Sequence, residues 1–458
     1  MRILILLKIR TVHMKHRLSA RIASFILSVA LILSSITLLS SCLYTGGTGD
    51  GTSDGTDTDG EGANTNGSGV GTGTGSDLTD NANDTIPEFL PGFGESDIAN
   101  VDLTSSSRAL LSSVSILSHF ERYYGSDFGY TYDEGATQAY KVNGSGVIYK
   151  LDREAGDAYI ITNFHVVSHY ESITPGGVSD DIDVYLYGQE NKNYVMEATY
   201  VGGSMTQDIA VLKIEDSEVL RHSYALPLTA ANSSLVSTFD TVVAIGNSEG
   251  EGIQATSGII SVDNEDLSLT GADHRTTITL NVMRISAAIN EGNSGGGLFN
   301  TEGKLIGIVV AKKIGSDVDN VAYAIPANRF LAMADSIIDS CNGTTETSLS
   351  RCMLGFTMNS DVKGIRIDPE TGKIHKVSLV KVDTIVSGSI LEGKLATGDV
   401  IKYVIVDGER IEITQIYMLI EHMFKARVGS TVTLGIERDG IAASFTVTMT
   451  EATLSTVK

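Results

Sequence analysis

The sequence predicts a mainly β fold, a sandwich or barrel, and three observations carry that prediction. From about residue 100 onward, short apolar runs recur between Gly, Asn and Asp. Residues 144–149, 158–162, 182–186, 209–214 and 241–245 have the length and β-branched content of strands. Turn residues, rather than the 10–15-residue helical patterns of alternating β/α units, separate most of these runs.

The 458 residues are enough for two or three domains, and composition divides them. Residues 1–42 read as a signal segment, 43–100 as a linker, 101–340 as the first folded domain and 350–452 as a second. The formal charge is −23, and a leader with six basic residues and no acidic one masks a remainder of −29. An acidic surface of that size repels phosphate backbones, so no nucleic-acid partner is expected. Three cysteines (Cys42, Cys341, Cys352) lack zinc-type spacing, so no metal is expected. Cys341 and Cys352 are open to either one short-loop disulfide or two unpaired thiols.

Lys15-His16-Arg17, an apolar run over 22–39 and small residues before Cys42 form the three regions of a secretory signal. Leu39-Ser40-Ser41-Cys42 resembles a bacterial lipobox, which implies a lipid on Cys42 and a protein anchored outside the cell membrane. An uncleaved anchor is the alternative, because the run approaches spanning length. Residues 43–97 hold eleven acidic side chains, no basic ones, and mostly Gly, Thr, Ser and Asn. Too little apolar surface is available there to offset chain entropy, so a flexible tether is expected. Its Asp54 to Glu61 run lacks the EF-hand spacing and closing glutamate of a calcium loop.

Within the β region, Thr162-Asn163-Phe164-His165 places a histidine at the end of an apolar strand. Asp208 heads the apolar run Ile209-Ala210-Val211-Leu212, 43 residues further on. Each alone is ordinary. The third segment, Gly292-Asn293-Ser294-Gly295-Gly296, sets a serine on a turn where its own amide and that of Gly292 can face a developing oxyanion. A serine hydroxyl needs a base, and the base an orienting acid. His165 and Asp208 supply both, which makes Ser294 the candidate nucleophile. The same serine fits the Gly-x-Ser-x-Gly elbow of α/β-hydrolases, but that fold needs a helix directly after it and its histidine downstream. Here a turn and the strand-like 305–310 follow.

The stretches Thr162-Asn163-Phe164-His165, Asp208-Ile209-Ala210-Val211-Leu212, Ala244-Ile245-Gly246-Asn247, Ala287-Ala288-Ile289-Asn290 and Tyr323-Ala324-Ile325-Pro326 resemble the HtrA (DegP/DegQ) family of trypsin-like proteases. The resemblance implies a chymotrypsin-like double β-barrel over roughly 105–335, with His165, Asp208 and Ser294 as the triad and no cofactor. It also implies an oxyanion hole from Gly292, Asn293 and Ser294, unfolded polypeptides as substrates, and a homotrimer. Ala287-Ala288-Ile289 would line the primary pocket, which favours a small apolar residue before the cut. Two positions depart from the family: Gly297 replaces its proline and Ser286 its aspartate. Glycine at 297 should loosen the turn after the nucleophile, and residues 263–275 are a candidate mobile switch.

After a linker at 342–350, the chain resembles a small α+β PDZ domain. Leu354-Gly355-Phe356, Gly398-Asp399-Val400-Ile401 and a helix-like 416–424 carry the likeness. Leu354, Gly355 and Phe356 then form the loop that captures a peptide C-terminus. A catalytically inactive, chaperone-like peptide scaffold is the competing function.

Overall fold

Alternating burial along twelve strands closes two six-stranded antiparallel barrels. A computed structural model of the chain describes residues 103–123, 137–189, 194–312, 321–340 and 349–457, all within one compact unit that spans 83–458. The leader, Cys42, the acidic linker and Cys341 lie outside the described residues.

Helix α1 (Ser105–Leu111), capped by the Thr104 hydroxyl, leads into the first barrel. Its strands are β1 (Ser113–Tyr123), β2 (Thr137–Asp152), β3 (Asp157–Thr162), β4 (Asp181–Leu186), β5 (Met196–Ser204) and β6 (Ile209–Ile214). They close in the order β1-β2-β3-β6-β5-β4. Ile116, Ile148, Ile160, Val184 and Leu212 fill the interior. Two short helices punctuate it, α2 (Phe164–Val167) after β3 and α3 (Glu218–Arg221) after β6.

The second barrel runs β10-β11-β12-β9-β8-β7. Its strands are β7 (Thr241–Gly246), β8 (Gln254–Thr270), β9 (Thr277–Ile285), β10 (Gly297–Asn300), β11 (Leu305–Lys312) and β12 (Ala322–Pro326). Residues 263–270, expected to be mobile, are strand: Glu265 through Thr270 pair with Val282 through Thr277, and Arg284 forms an ion pair with Glu265. Only the tip at 271–276 is a turn. Asp273 ties it by accepting from the amides of Arg275 and Thr276 at 3.0 and 2.8 Å and from the Thr276 hydroxyl at 2.5 Å.

Helix α4 (Ala327–Ser340) follows β12 directly. Phe330, Met333, Ala334 and Ile337 are buried at the i, i+3, i+4, i+7 spacing of one helical face. That face enters the cluster that also holds Val201 and Ile209 of the first barrel and Ile245, Leu280 and Phe299 of the second. Leu349 and Phe424 join it from the C-terminal region.

The C-terminal region is an antiparallel sheet of order β14-β15-β16-β18-β19, with β17 paired to β16. Its strands are β13 (Leu349–Cys352), β14 (Phe356–Ile367), β15 (Ile374–Ile385), β16 (Val400–Val406), β17 (Glu409–Glu412), β18 (Thr431–Arg438), β19 (Ile441–Thr448) and β20 (Leu454–Val457). Helix α5 (Ile416–Met423) packs Leu419 and Met423 onto Val382, Val404 and Leu434. The expected end at 452 falls short of β20, which pairs with β13. Cys352 is buried with a free thiol. In Gly398-Asp399-Val400-Ile401, Asp399 is a structural residue, its carboxylate accepting two 2.7 Å bonds from Arg438.

Phe330 is fully buried where barrels, helix and C-terminal residues meet. Phe330→Ala should lower stability by about 3–5 kcal/mol, measured by denaturant unfolding.

Candidate active site

The site is built at the seam between the barrels, from the ends of β3, β6 and β10. His165 sits on the single turn of α2, three residues past the end of the strand on which the sequence placed it. Asp208 precedes β6 with φ +51°, a left-handed conformation that an aspartate tolerates better than most residues. Asn163, fully buried, holds it there by donating Nδ2–H to the Asp208 carbonyl at 2.8 Å.

Asp208 is 5 % exposed, and its carboxylate receives His165 twice. The His165 amide reaches Oδ1 at 3.1 Å, and Nδ1 lies 3.0 and 2.9 Å from Oδ1 and Oδ2. A carboxylate only accepts, so Nδ1 carries the proton and Nε2 is left as the basic nitrogen. Burial pulls the imidazole pKa down, but the charge of Asp208 and its hydrogen bond outweigh that and leave it above the usual histidine value.

Ser294 lines the same cavity of about 530 Å³ as His165 and Asp208. Its Oγ–H donates to the Val310 carbonyl at 3.3 Å, and no hydrogen bond joins it to His165. The tip of the β8–β9 hairpin, residues 269–274, forms another wall. Its His274 stacks on Tyr170 from the loop after α2, ring centroids 4.0 Å apart.

The turn around Ser294 requires glycine at two points. Gly292 has φ +90°, and a Cβ there would lie 2.1 Å from the Asn247 carbonyl. At Gly295, with φ +83°, it would lie 2.2 Å from both the Ser145 carbonyl and the Thr162 hydroxyl. The Glu291 carbonyl accepts from the Glu249 amide at 2.7 Å, and the Asn293 carbonyl from the Gly296 amide at 3.0 Å. In a trans peptide the N–H opposes the C=O, so the Gly292 and Ser294 amides are turned away from those donors. Neither has a hydrogen-bond partner among the described residues. The Asn293 amide differs: it donates to the Asn290 carbonyl at 3.2 Å and is not available to an oxyanion.

Both departures near the serine are accommodated. Gly297 does not loosen the turn, because β10 is paired there on both sides, to Ile308 and Ile245. The buried Phe299 ring fills the place of a Cβ, 2.4 Å from it. Ser286 accepts the Ile259 amide on its hydroxyl at 3.0 Å and returns its own amide to the Ile259 carbonyl at 3.1 Å. Ile289 contributes to the cavity wall, while Ala287 is buried in the core.

Ser145 went unnoticed in the sequence. Its amide donates to the Ser294 carbonyl at 2.9 Å and its hydroxyl to the Gly292 carbonyl at 2.7 Å. The setting Gly144-Ser145-Gly146 inside an apolar run was the available signal.

Leu354, Gly355 and Phe356 line a second cavity of about 270 Å³, facing Ile416, Leu419, Ile420 and Met423 on α5. The amides of Leu354 and Gly355 have no partner among the described residues, and Gly355 takes φ +77°.

A family described as the trypsin-like peptidase domain matches residues 144–308. Serine protease Do-like HtrA of Lactococcus lactis subsp. cremoris is 29 % identical over 380 residues, covering 77 % of this chain and 84 % of the relative. The Bacillus subtilis protein of the same name is 36 % identical over 214 residues, 46 % of this chain and 42 % of the relative. The periplasmic pH-dependent serine endoprotease DegQ of Escherichia coli is 29 % identical over 342 residues, 73 % of this chain and 64 % of its own. Two closed barrels under a peptidase match define a trypsin-like serine endopeptidase. Within that class the chain is similar to the HtrA and DegP/DegQ serine proteases.

An NMR titration should place His165 above 6.5, because Asp208 favours the imidazolium. In Asp208→Asn only the burial effect remains, so the value should drop below 6.5.

Proposed function

We propose that this protease acts outside the cytoplasm on unfolded or damaged polypeptides, with His165, Asp208 and Ser294 as its triad. The observation that carries the reading is the His165–Asp208 pair, facing the same cavity as a serine flanked by two uncommitted amides. Ser294 Oγ attacks the scissile carbonyl while His165 Nε2 takes its proton and then delivers it to the leaving amine. Asp208 holds the imidazole in the Nδ1–H tautomer and balances the imidazolium. The amides of Gly292 and Ser294 receive the oxyanion.

For this sequence of steps Ser294 must leave Val310 and turn to Nε2. That requires exchange of one long hydrogen bond. The resting arrangement is therefore a restrained one.

Residues 101–340 are read as the protease domain and 350–452, extended through β20, as a PDZ-like module. Its groove receives a peptide C-terminus on the Leu354 and Gly355 amides, with the peptide adding to the sheet along Phe356. The leader with Cys42 tethers the protein to the outer face of the cell membrane. Support for that location comes from the sequence of residues 15–42 and from the periplasmic placing in the names of the Escherichia coli relatives DegQ and DegP. Homotrimer assembly is part of the same reading and rests on family likeness alone.

The Ser294–Val310 contact favours a second reading, a scaffold that holds chains without cutting them. Digestion of β-casein decides between the two. Wild type should cleave it and label with a fluorophosphonate, and folded Ser294→Ala should lose both, with kcat down by at least about 10⁴-fold. Equal casein turnover by the two proteins selects the scaffold.

A further inference from the structure

Arg329 is an unusual residue for its position. It lies on the buried face of α4, 7 % exposed, packed under β5 and β6. Its Nη2 donates to Gln207 Oε1 at 2.6 Å, and no ion pair among the described residues accompanies that bond. Gln207 is the residue immediately before Asp208.

The turn that carries Asp208 is stitched to itself by weaker ties. The Gln207 amide reaches the Ser204 hydroxyl at 3.3 Å, Gln207 Nε2 the Thr206 carbonyl at 3.2 Å, and the Asp208 amide the Met205 carbonyl at 3.3 Å. All of these lie within residues 204–208, and the ends of the turn are held by the Ser204–Ile209 pair of β5 and β6. Asn163 and Arg329 reach the turn from outside it: Asn163 holds the Asp208 carbonyl, and Arg329 holds the neighbouring side chain.

Burying a guanidinium against a neutral amide costs several kcal/mol, and an apolar side chain at the same place would be less costly to stability. Burial accordingly pulls the Arg329 pKa down, while the charge of Glu421 on α5 opposes it. Glu421 is itself 5 % exposed, and its Oε1 has no hydrogen-bond partner. Arg351 and Asp266 act on Arg329 from further elements, with opposite signs.

We propose that Arg329 is a positioning residue for the endopeptidase reaction: through Gln207 it fixes the left-handed turn that aims the Asp208 carboxylate at His165. A group at the end of a long helix thereby sets the angle of a catalytic acid it does not touch. Displacing that carboxylate by a fraction of an ångström weakens the Nδ1–H tautomer preference and slows the proton transfer, with little change in how substrate binds.

The proposal rests on the reading of Asp208 as the catalytic acid, and Asp208→Asn is run alongside to keep the two separable. Full-length Gln207→Leu and Arg329→Met should each lower kcat on a fluorogenic peptide by roughly 10–100-fold, with KM within about twofold. The low-field proton resonance of the His165–Asp208 bond should broaden or shift in both. The double variant should be no worse than the single ones, because both cut one link. Arg329→Lys, which can still reach Gln207 Oε1, should recover most of the rate.

Wild-type kcat and an unmoved resonance in folded Gln207→Leu would falsify the proposal, and this variant decides alone where Arg329→Met fails to fold. Additive losses in the double variant, or a loss of thermal stability with kcat intact, overturn it equally. Full activity in Asp208→Asn instead removes the triad reading beneath it.

Discussion

Ser145 is the contact on which the geometry of the site depends. His165 and Asp208 belong to the first barrel and Ser294 to the second, so no strand ladder registers them against each other. Ser145, fully buried on β2, binds the Ser294 carbonyl, the Gly292 carbonyl and, on its hydroxyl, the Asn247 amide at 2.7 Å. Asn247 in turn donates to the Ser115 hydroxyl of β1 at 2.8 Å. Four hydrogen bonds thus cross the seam, where each unmet buried donor or acceptor would cost about 1–3 kcal/mol. Satisfying all of them leaves the two barrels one relative position at this point.

The reactive groups inherit different degrees of readiness from that frame. His165 and Asp208 are joined within the first barrel by three contacts of 2.9–3.1 Å, so the base is already oriented. The Ser294 hydroxyl stays within its own barrel, on a single 3.3 Å bond to the Val310 carbonyl of β11. The imidazole is thus held by its carboxylate, whereas the Ser294 hydroxyl is engaged by a backbone carbonyl.

How much of this was legible depended on how local each signal is. Strands such as β3, β4, β6, β7 and β11 are dense in Ile and Val, and a purely local reading finds them. Strand β1 escaped notice because Ser113, Ser115 and Ser118 break its apolar run; all three are buried, and Ser115 bonds to Asn247. The candidate site residues His165, Asp208 and Ser294 were legible because each lies in a short motif and the motifs keep a fixed order. Ser145, Arg329 and the Ser294–Val310 contact were not, since each acts with a partner 16 to 149 positions away. Expectations at Gly297 and at residues 263–270 failed for one shared reason: strand pairing restrains backbone that composition alone leaves free.

The cluster around Phe330 bears on how the polypeptide can be divided. Sequence draws a border near residue 340, where a linker separates two recognisable folds. The packing does not observe it, because Leu349, Phe424 and Val457 complete an apolar cluster founded on the barrels and α4. A fragment ending at 340 would bare to water the apolar surface that Leu349, Phe424 and Val457 cover. The unit of inheritance and the unit of cohesion are thus different lengths of the same chain.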